Sequence, residues 1–363
     1  MKPVFVNGVG PDNSQEALAA CIRNTFMAAS DNCSWLCEGD VVLLKPALNS
    51  PDPYPSTTHP LAIGVFAGLL KERGAKVVIG DQSGIEHVLH HPAGVVRGSS
   101  RANYARSGMG PLEDPRFVSF EDGGWDKGFF HYQSQNTASW KEGFFLTTWV
   151  KKADHIICLP RVSTHSQAGA TLGLKCMVGL LREDSRMEFH ANGPYNNFIT
   201  GSAKGSTLVS HDDGSGMFFE KIVEISDAIR EKLRLTLFVA TKVQTTFGPD
   251  RFALRLGPVG LGKAYVTNPD PGLVFASADP VAADAFALAI LKELKTTVPY
   301  VPTLTERIIL SKNHNVQDLP TILVGDHPYI RHATKMGLGR MSSEIVYANV
   351  PQPVQGRFNR ALQ

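Results

Sequence analysis

No apolar stretch in the 363 residues reaches the roughly 18 that a membrane-spanning helix needs. The opening residues, MKPVFVNGVGPDNS, lack the long apolar run of a secretory signal. Charge of one sign is not in excess: 36 Lys and Arg against 34 Asp and Glu leave a net charge of +2. Lys and Arg form no stripe interleaved with aromatics, so nucleic acid is not an expected partner, and neither is a membrane. Cysteine is scarce. Cys21, Cys33, Cys37, Cys158 and Cys176 are odd in number and make no disulfide framework. Cys33 and Cys37 offer only half of a four-ligand metal set, so two plain thiols beside Trp35 are the simpler expectation. Neither an internal repeat nor a low-complexity tract is visible. A cytoplasmic location follows as the expectation.

With 43% hydrophobic and 19% charged residues, the chain has the composition of a compact globular protein with a real core. At about 150 residues per domain its length predicts two or three domains. Continuous apolar runs at Val41–Leu44, Lys76–Gly80 and His155–Leu159 suit strands buried on both faces of a parallel sheet. Gln15 to Ala29 has helical spacing, with Leu18, Ile22 and Phe26 four apart. Ser56-Thr57-Thr58-His59-Pro60 reads as a helix start with hydroxyl caps and an early proline, and Gly74 ends that helix. Strand, helix and strand over residues 41–80 make a βαβ crossover.

Farther along, Ala276 to Pro280 caps a helix over 281–294, with Asp284 in its first turn. Strands are expected at 235–243, 321–324 and 345–348, and helices at 218–233 and 327–336. Residues 191–217 read as a Gly/Ser-rich loop, and the aromatics of 85–150 as a small hydrophobic subcore beneath irregular loops. The fold class is therefore α/β, with mainly parallel sheets and flanking helices. Two lobes with a cleft between them are expected, one over 1–233 with the main site loops and a smaller one over 234–363.

In such sheets ligands bind at the carboxyl ends of strands. Lys45 and Asp81 each follow one strand, and His165 lies just past another. Thr58 and His59 stand at a helix start, where free amides favour an anion. Lys45, Thr58, His59 and Asp81 are thus candidate substrate-binding groups. The stretch from Leu159 to His190 carries His165, small residues that include Thr171, then Lys175 in an apolar run, then His190. Neutral imidazoles near pH 7 exchange protons or bind metal. A lysine in apolar company loses charge stabilisation and becomes a base or nucleophile. His165, His190 and Lys175 are the catalytic candidates, and His165 and His190 the candidate ligands of a divalent metal. His87 and His91 are four apart, but Pro92 and the want of other ligands argue against chelation. Gly337-Leu338-Gly339-Arg340 lacks the full dinucleotide fingerprint.

The segments VVLLKPALNSP, STTHPLAIGVFAGLLKERGAKVVIGDQSG, ADHIICLPRVSTHSQAGATLGLKCMVGLL, FASADPVAADAFALAIL and HPYIRHATKMGLG resemble domain-of-unknown-function family 362, whose members often carry ferredoxin-type modules. The resemblance implies a ferredoxin-like protein as a partner. With no ferredoxin cysteine pattern, this chain should hold no iron–sulfur cluster of its own. Ala47, Ser163 and Cys176-Met177-Val178 depart from the residues usual in the family, which implies an altered substrate.

More distantly, the loop from His165 to Lys175 is similar to that of the nickel-pincer lactate racemase family. That similarity implies Lys175 as a cofactor tether, with Thr171 beside it, and the two histidines as proton or hydride-exchange partners on a 2-hydroxy acid. The resulting expectation is an enzyme of isomerase, racemase or redox type acting on a small anionic molecule. The alternative is a non-catalytic ligand-binding or redox-partner protein working with iron–sulfur proteins.

Overall fold

The computed structural model describes residues 2–10, 14–190, 217–256, 259–311, 313–341 and 344–363. The expected loop at 191–217 lies, but for Met217, outside them. Eight strands form the main sheet: β1 Val4–Gly8, β2 Val41–Pro46, β3 Lys76–Asp81, β4 Phe117–Ser119, β5 His155–Leu159, β6 Leu233–Ala240, β7 Leu273–Ser277 and β8 Ile345–Ala348. Their order across the sheet is β8-β1-β7-β6-β5-β2-β3-β4. Only β7 runs against its neighbours, β1 and β6; the other adjacent pairs are parallel. The protein is α/β with a mainly parallel sheet.

Side chains alternate across a strand, and both faces here are apolar. On one face Val42, Leu44, Ile79, Ile157 and Leu159 pack with the helices Gln15–Ala29 and Pro60–Glu72 through Ile22, Phe26, Ile63, Phe66 and Leu70. The Phe26 and Phe66 rings lie 4.4 Å apart. On the other face Leu43, Ile156, Cys158, Phe238 and Phe275 share a core with Val281, Ala285, Phe286 and Ile290 of the helix Pro280–Lys295. This two-sided burial explains why β2 and β5 read as unbroken apolar runs.

The boundary expected at 233/234 falls at the start of β6, which pairs with both β5 and β7. Strands from either side of it share one sheet, so the two halves of the sequence are not two successive lobes. A smaller four-stranded sheet stands beyond the carboxyl edge of the main one. Its strands are Gly169–Thr171, Ser163–His165, Val243–Gln244 and Val266–Thr267, in that order.

Three local expectations change. Residues 321–323 form no strand, because the amides of Thr321 and Ile322 both turn back to Asp318 O. The helix expected over 218–233 is α-helical only over Phe218–Glu224, continues as 3-10 over Ile225–Ile229, and gives way to β6. Phe129, Trp140 and Phe144 join the main core instead of a separate subcore. Among the described residues no helix is long and apolar enough to cross a membrane.

Candidate functional site

A cavity of about 420 Å³ lies at the carboxyl edge of β2, β3 and β5, beneath the smaller sheet and the hairpin strands Phe252–Leu256 and Val259–Lys263. Lys45, Asp81, His165, Thr171, Lys175 and His190 all line it. Thr58 and His59 do not. The Thr58 hydroxyl donates to Leu159 O and accepts Ala47 N at 2.8 Å, so it ties the end of β2 to the end of β5. His59 is itself the helix N-cap, its Nδ1 accepting Leu61 N at 3.2 Å. Burial lowers its pKa to about 4, and a neutral ring already engaged by an amide is no anion clamp.

Lys45 and Asp81 are spent largely on each other. Their charged atoms are 2.9 Å apart in a fully buried pair. Asp81 also accepts the amides of Leu48 and Gln82 at 2.9 and 2.8 Å. The neighbouring strands β2 and β3 bring the two together at their carboxyl ends.

Lys175 differs. It lies in the short helix Gly173–Cys176, whose first amides are taken by Asp284. The Asp284 carboxylate accepts Gly173 N at 2.7 Å and Leu174 N at 2.8 Å. Asp284 therefore does not serve its own helix, which Asp279 caps through Val281 N and Ala282 N. The Lys175 ammonium has no hydrogen-bond or ion-pair partner among the described residues. Burial, reinforced by Arg161, lowers its pKa to about 7.

The two histidines are held in opposite tautomers. His165 Nδ1 accepts the amides of Gln167 and Ala168 at 3.1 and 3.2 Å, so in the neutral ring the proton sits on Nε2. His190 Nδ1 lies 2.8 Å from Arg186 O and must donate to it, which leaves the Nε2 lone pair without a partner among the described residues. Burial lowers His165 well below the usual range and takes His190 to about 3, so both are neutral at pH 7. His165 thus offers an N–H and His190 a base. This corrects the expectation that both bind metal: His190 fits a metal through Nε2, whereas His165 has no free lone pair to give.

Several lining residues were not legible in the sequence. Arg186 spans the loops, donating to Ser83 O, Gln82 O, Gly179 O and Leu181 O. Cys176 faces the cavity with Lys45 Nζ 3.7 Å from its sulfur. Gln82 and Gln167 line the cavity, and Gln82 Oε1 and Gln167 Nε2 lack partners among the described residues. Glu86 and Asp250 are also in the wall. His87 bonds to Asp250, not to His91. The aromatics singled out in 85–150 take no part in the lining.

No curated protein matches the sequence. The solved structure of lactate racemase apoprotein from Thermoanaerobacterium thermosaccharolyticum aligns with 74% of this chain and 54% of its own at 12% identity, with a TM-score of 0.38. This chain spans about half the length of that protein, and a likeness so low carries no inference about activity. A family model described as "Domain of unknown function (DUF362)" matches residues 42–289, well over half of the sequence. The chain belongs to that family.

Proposed function

We propose that this protein is an enzyme that binds a small carboxylated molecule in the cavity and transfers a proton on it, as an isomerase or racemase does. One observation carries the reading: His165 is fixed as an N–H donor and His190 as a lone-pair base in the wall of a cavity that also holds the unpaired Lys175. A ring N–H and a free ring lone pair on one cavity can hold a ligand oxygen and take up its proton. Lys175 in its charged form would anchor a carboxylate, while Thr171 and the free ends of Gln82 and Gln167 would take up polar groups of the ligand. Lys45 and Asp81 shape the wall as a closed pair.

A nickel-pincer-type cofactor is the richer version of the same reading. The free Lys175 amine fits the tether and His190 Nε2 fits one metal ligand. Such a group, when bound, would accept and return a hydride, extending the chemistry from isomerisation to redox exchange. Intact mass and elemental analysis of natively purified protein test it: an adduct on Lys175 with stoichiometric nickel is expected, and a metal-free chain of the calculated mass sinks it.

The acid–base reading is tested by incubating the purified protein in D2O with a panel of 2-hydroxy and 2-oxo acids and following exchange at the carbon beside the carboxylate or carbonyl by NMR. Exchange by the wild type should fall by roughly 100-fold or more in His190→Ala, the range of general acid–base contributions. Saturable binding without exchange would instead favour a ligand-binding or redox-partner protein, with a ferredoxin-like partner the one to seek.

A further inference from the structure

Glu86, His87 and Asp250 meet at one edge of the cavity, and the acid–base reading uses none of them. One ligand atom from each can be chosen so that all three lie within 4.8 Å of one another. Glu86 and His87 come from the loop after β3, where His87 N closes a turn on Gly84 O at 2.8 Å. Asp250 comes from the opposite wall, and its backbone is pinned by Gln244 Nε2 on Asp250 O at 3.0 Å and by Arg161 Nη1 on the preceding carbonyl at 3.0 Å. Gly248 holds this loop against β-strand residue Thr164. Its φ is +98°, and a Cβ there would fall 2.2 Å from Thr164 O. Two independently braced loops thus set the three donors facing one point.

The cluster joins an imidazole–carboxylate pair to a second carboxylate. His87 Nε2 points into the notch of the Asp250 carboxylate, 3.0 and 2.9 Å from its two oxygens. Glu86, beside it, has no hydrogen bond or ion pair among the described residues. It is a carboxylate left next to another carboxylate, with only an imidazole between them. Lys175, Arg97 and Arg161 are within electrostatic reach but pair with neither acid directly. Two carboxylates balance a divalent charge. One imidazole with two carboxylates favours a first-row transition ion, such as zinc, manganese or ferrous iron, over calcium or magnesium, which prefer all-oxygen sets.

We propose that Glu86, His87 and Asp250 bind one divalent transition-metal ion at the cavity wall. Three protein ligands leave at least one coordination position open, as in catalytic rather than structural sites. That position faces the cavity, since Glu86 and Asp250 both line it. A carboxylated ligand would be held between this ion and Lys175. The assignment does not depend on the roles of His165 and His190. It moves the metal from the histidine pair, where His165 has no lone pair to offer, to a set whose three side chains all have donors turned to one place.

The test uses the full chain, stripped with chelator, dialysed and titrated with Zn2+ or Mn2+ alone by calorimetry, with elemental analysis for stoichiometry. One ion per chain is expected. Affinity should fall at least tenfold in Glu86→Gln and further in His87→Ala and Asp250→Ala. Circular dichroism melts establish which variants fold. Glu86→Gln keeps size and shape, so it decides the matter if the other two do not fold. Absence of saturable binding by folded wild type overturns the site. So does binding indifferent to Glu86→Gln and His87→Ala.

Discussion

The Lys45 ammonium and the Asp81 carboxylate meet at 2.9 Å, buried at the carboxyl edge of the sheet, and the backbone of Gly179 lies directly against them. A Cβ on Gly179 would fall 2.0 Å from Asp81 Oδ1 and 2.7 Å from Lys45 Nζ. Burial works against the Lys45 charge, but Asp81, together with Cys176 and Cys158 beside it, outweighs burial and raises the lysine's pKa. Removing one member of such a pair leaves a buried charge uncompensated, at a cost of about 3–5 kcal/mol. Lys45→Met should lower the unfolding free energy in urea by an amount of that order, and Gly179→Ala should do so by forcing the pair apart. Lys45→Met with Asp81→Asn should recover part of the loss. A Lys45→Met protein as stable as the wild type would show that the pair holds nothing together.

Opposite tautomers in one cavity are directly observable. Nitrogen-15 correlation spectra of histidine-labelled protein at pH 7 should show His165 protonated on Nε2 and His190 on Nδ1, because two amides face one Nδ1 and a carbonyl the other. His190 should stay neutral as the pH is taken down to 4, since burial places its pKa at about 3. If both rings carry the proton on the same nitrogen, the acid–base division fails.

Lys175 should cost the fold stability in a pH-dependent way. Its pKa falls from 10.5 in water to about 7 in the folded chain. Below 7 both folded and unfolded chains are protonated and the buried charge destabilises fully. Between 7 and 10.5 the unfolded chain binds the extra proton, so stability rises with pH and the penalty fades. Lys175→Met should therefore be more stable than wild type at pH 6, and this advantage should shrink by up to a few kcal/mol by pH 10. Thermal melts of the two proteins across that range decide it, and a pH-independent difference would mean that Lys175 keeps an ordinary pKa.

Strand-edge logic accounts for what the sequence made legible. Apolar runs marked β2, β3 and β5, and the residues at their carboxyl ends, Lys45 and Asp81, do meet in one wall with His165, Lys175 and His190. The hydroxyls near Pro60 misled because a cap motif specifies a local geometry, while Thr58 is claimed by Leu159 and Ala47, distant in sequence. Asp284 likewise serves a distant segment: its side chain reaches Gly173 and Leu174, more than a hundred residues earlier. Glu86 and Asp250 were invisible as a pair for the same reason, being 164 apart in number and joined only by the two loops. His87 drew notice, but its partner Asp250 carried no local signal to find it by. Tautomers, finally, depend on which backbone atom stands beside each Nδ1, and no residue pattern encodes that.

Cys176 brings a different reactivity into the same wall. The neighbouring Cys158 thiol, with help from Lys45 3.7 Å away and against the effect of burial, lowers its pKa below that of a free cysteine. Cys158, for which burial dominates, is raised well above it. The thiolate is the nucleophile, so the pair should react unequally although both are buried. Among the five cysteines only Cys37 is exposed, and Cys176 alone lines the cavity. Limited treatment of the native protein with iodoacetamide at pH 7, followed by peptide mass mapping, should label Cys37 and Cys176 and spare Cys21, Cys33 and Cys158. A carboxylated ligand that fills the cavity should protect Cys176 while leaving Cys37 unaffected, which makes the labelling ratio a binding assay that needs no knowledge of the reaction. Lys45→Met should slow labelling of Cys176 several-fold by withdrawing the nearby ammonium. Labelling of Cys158 ahead of Cys176 would reverse the assignment of the proton within the pair.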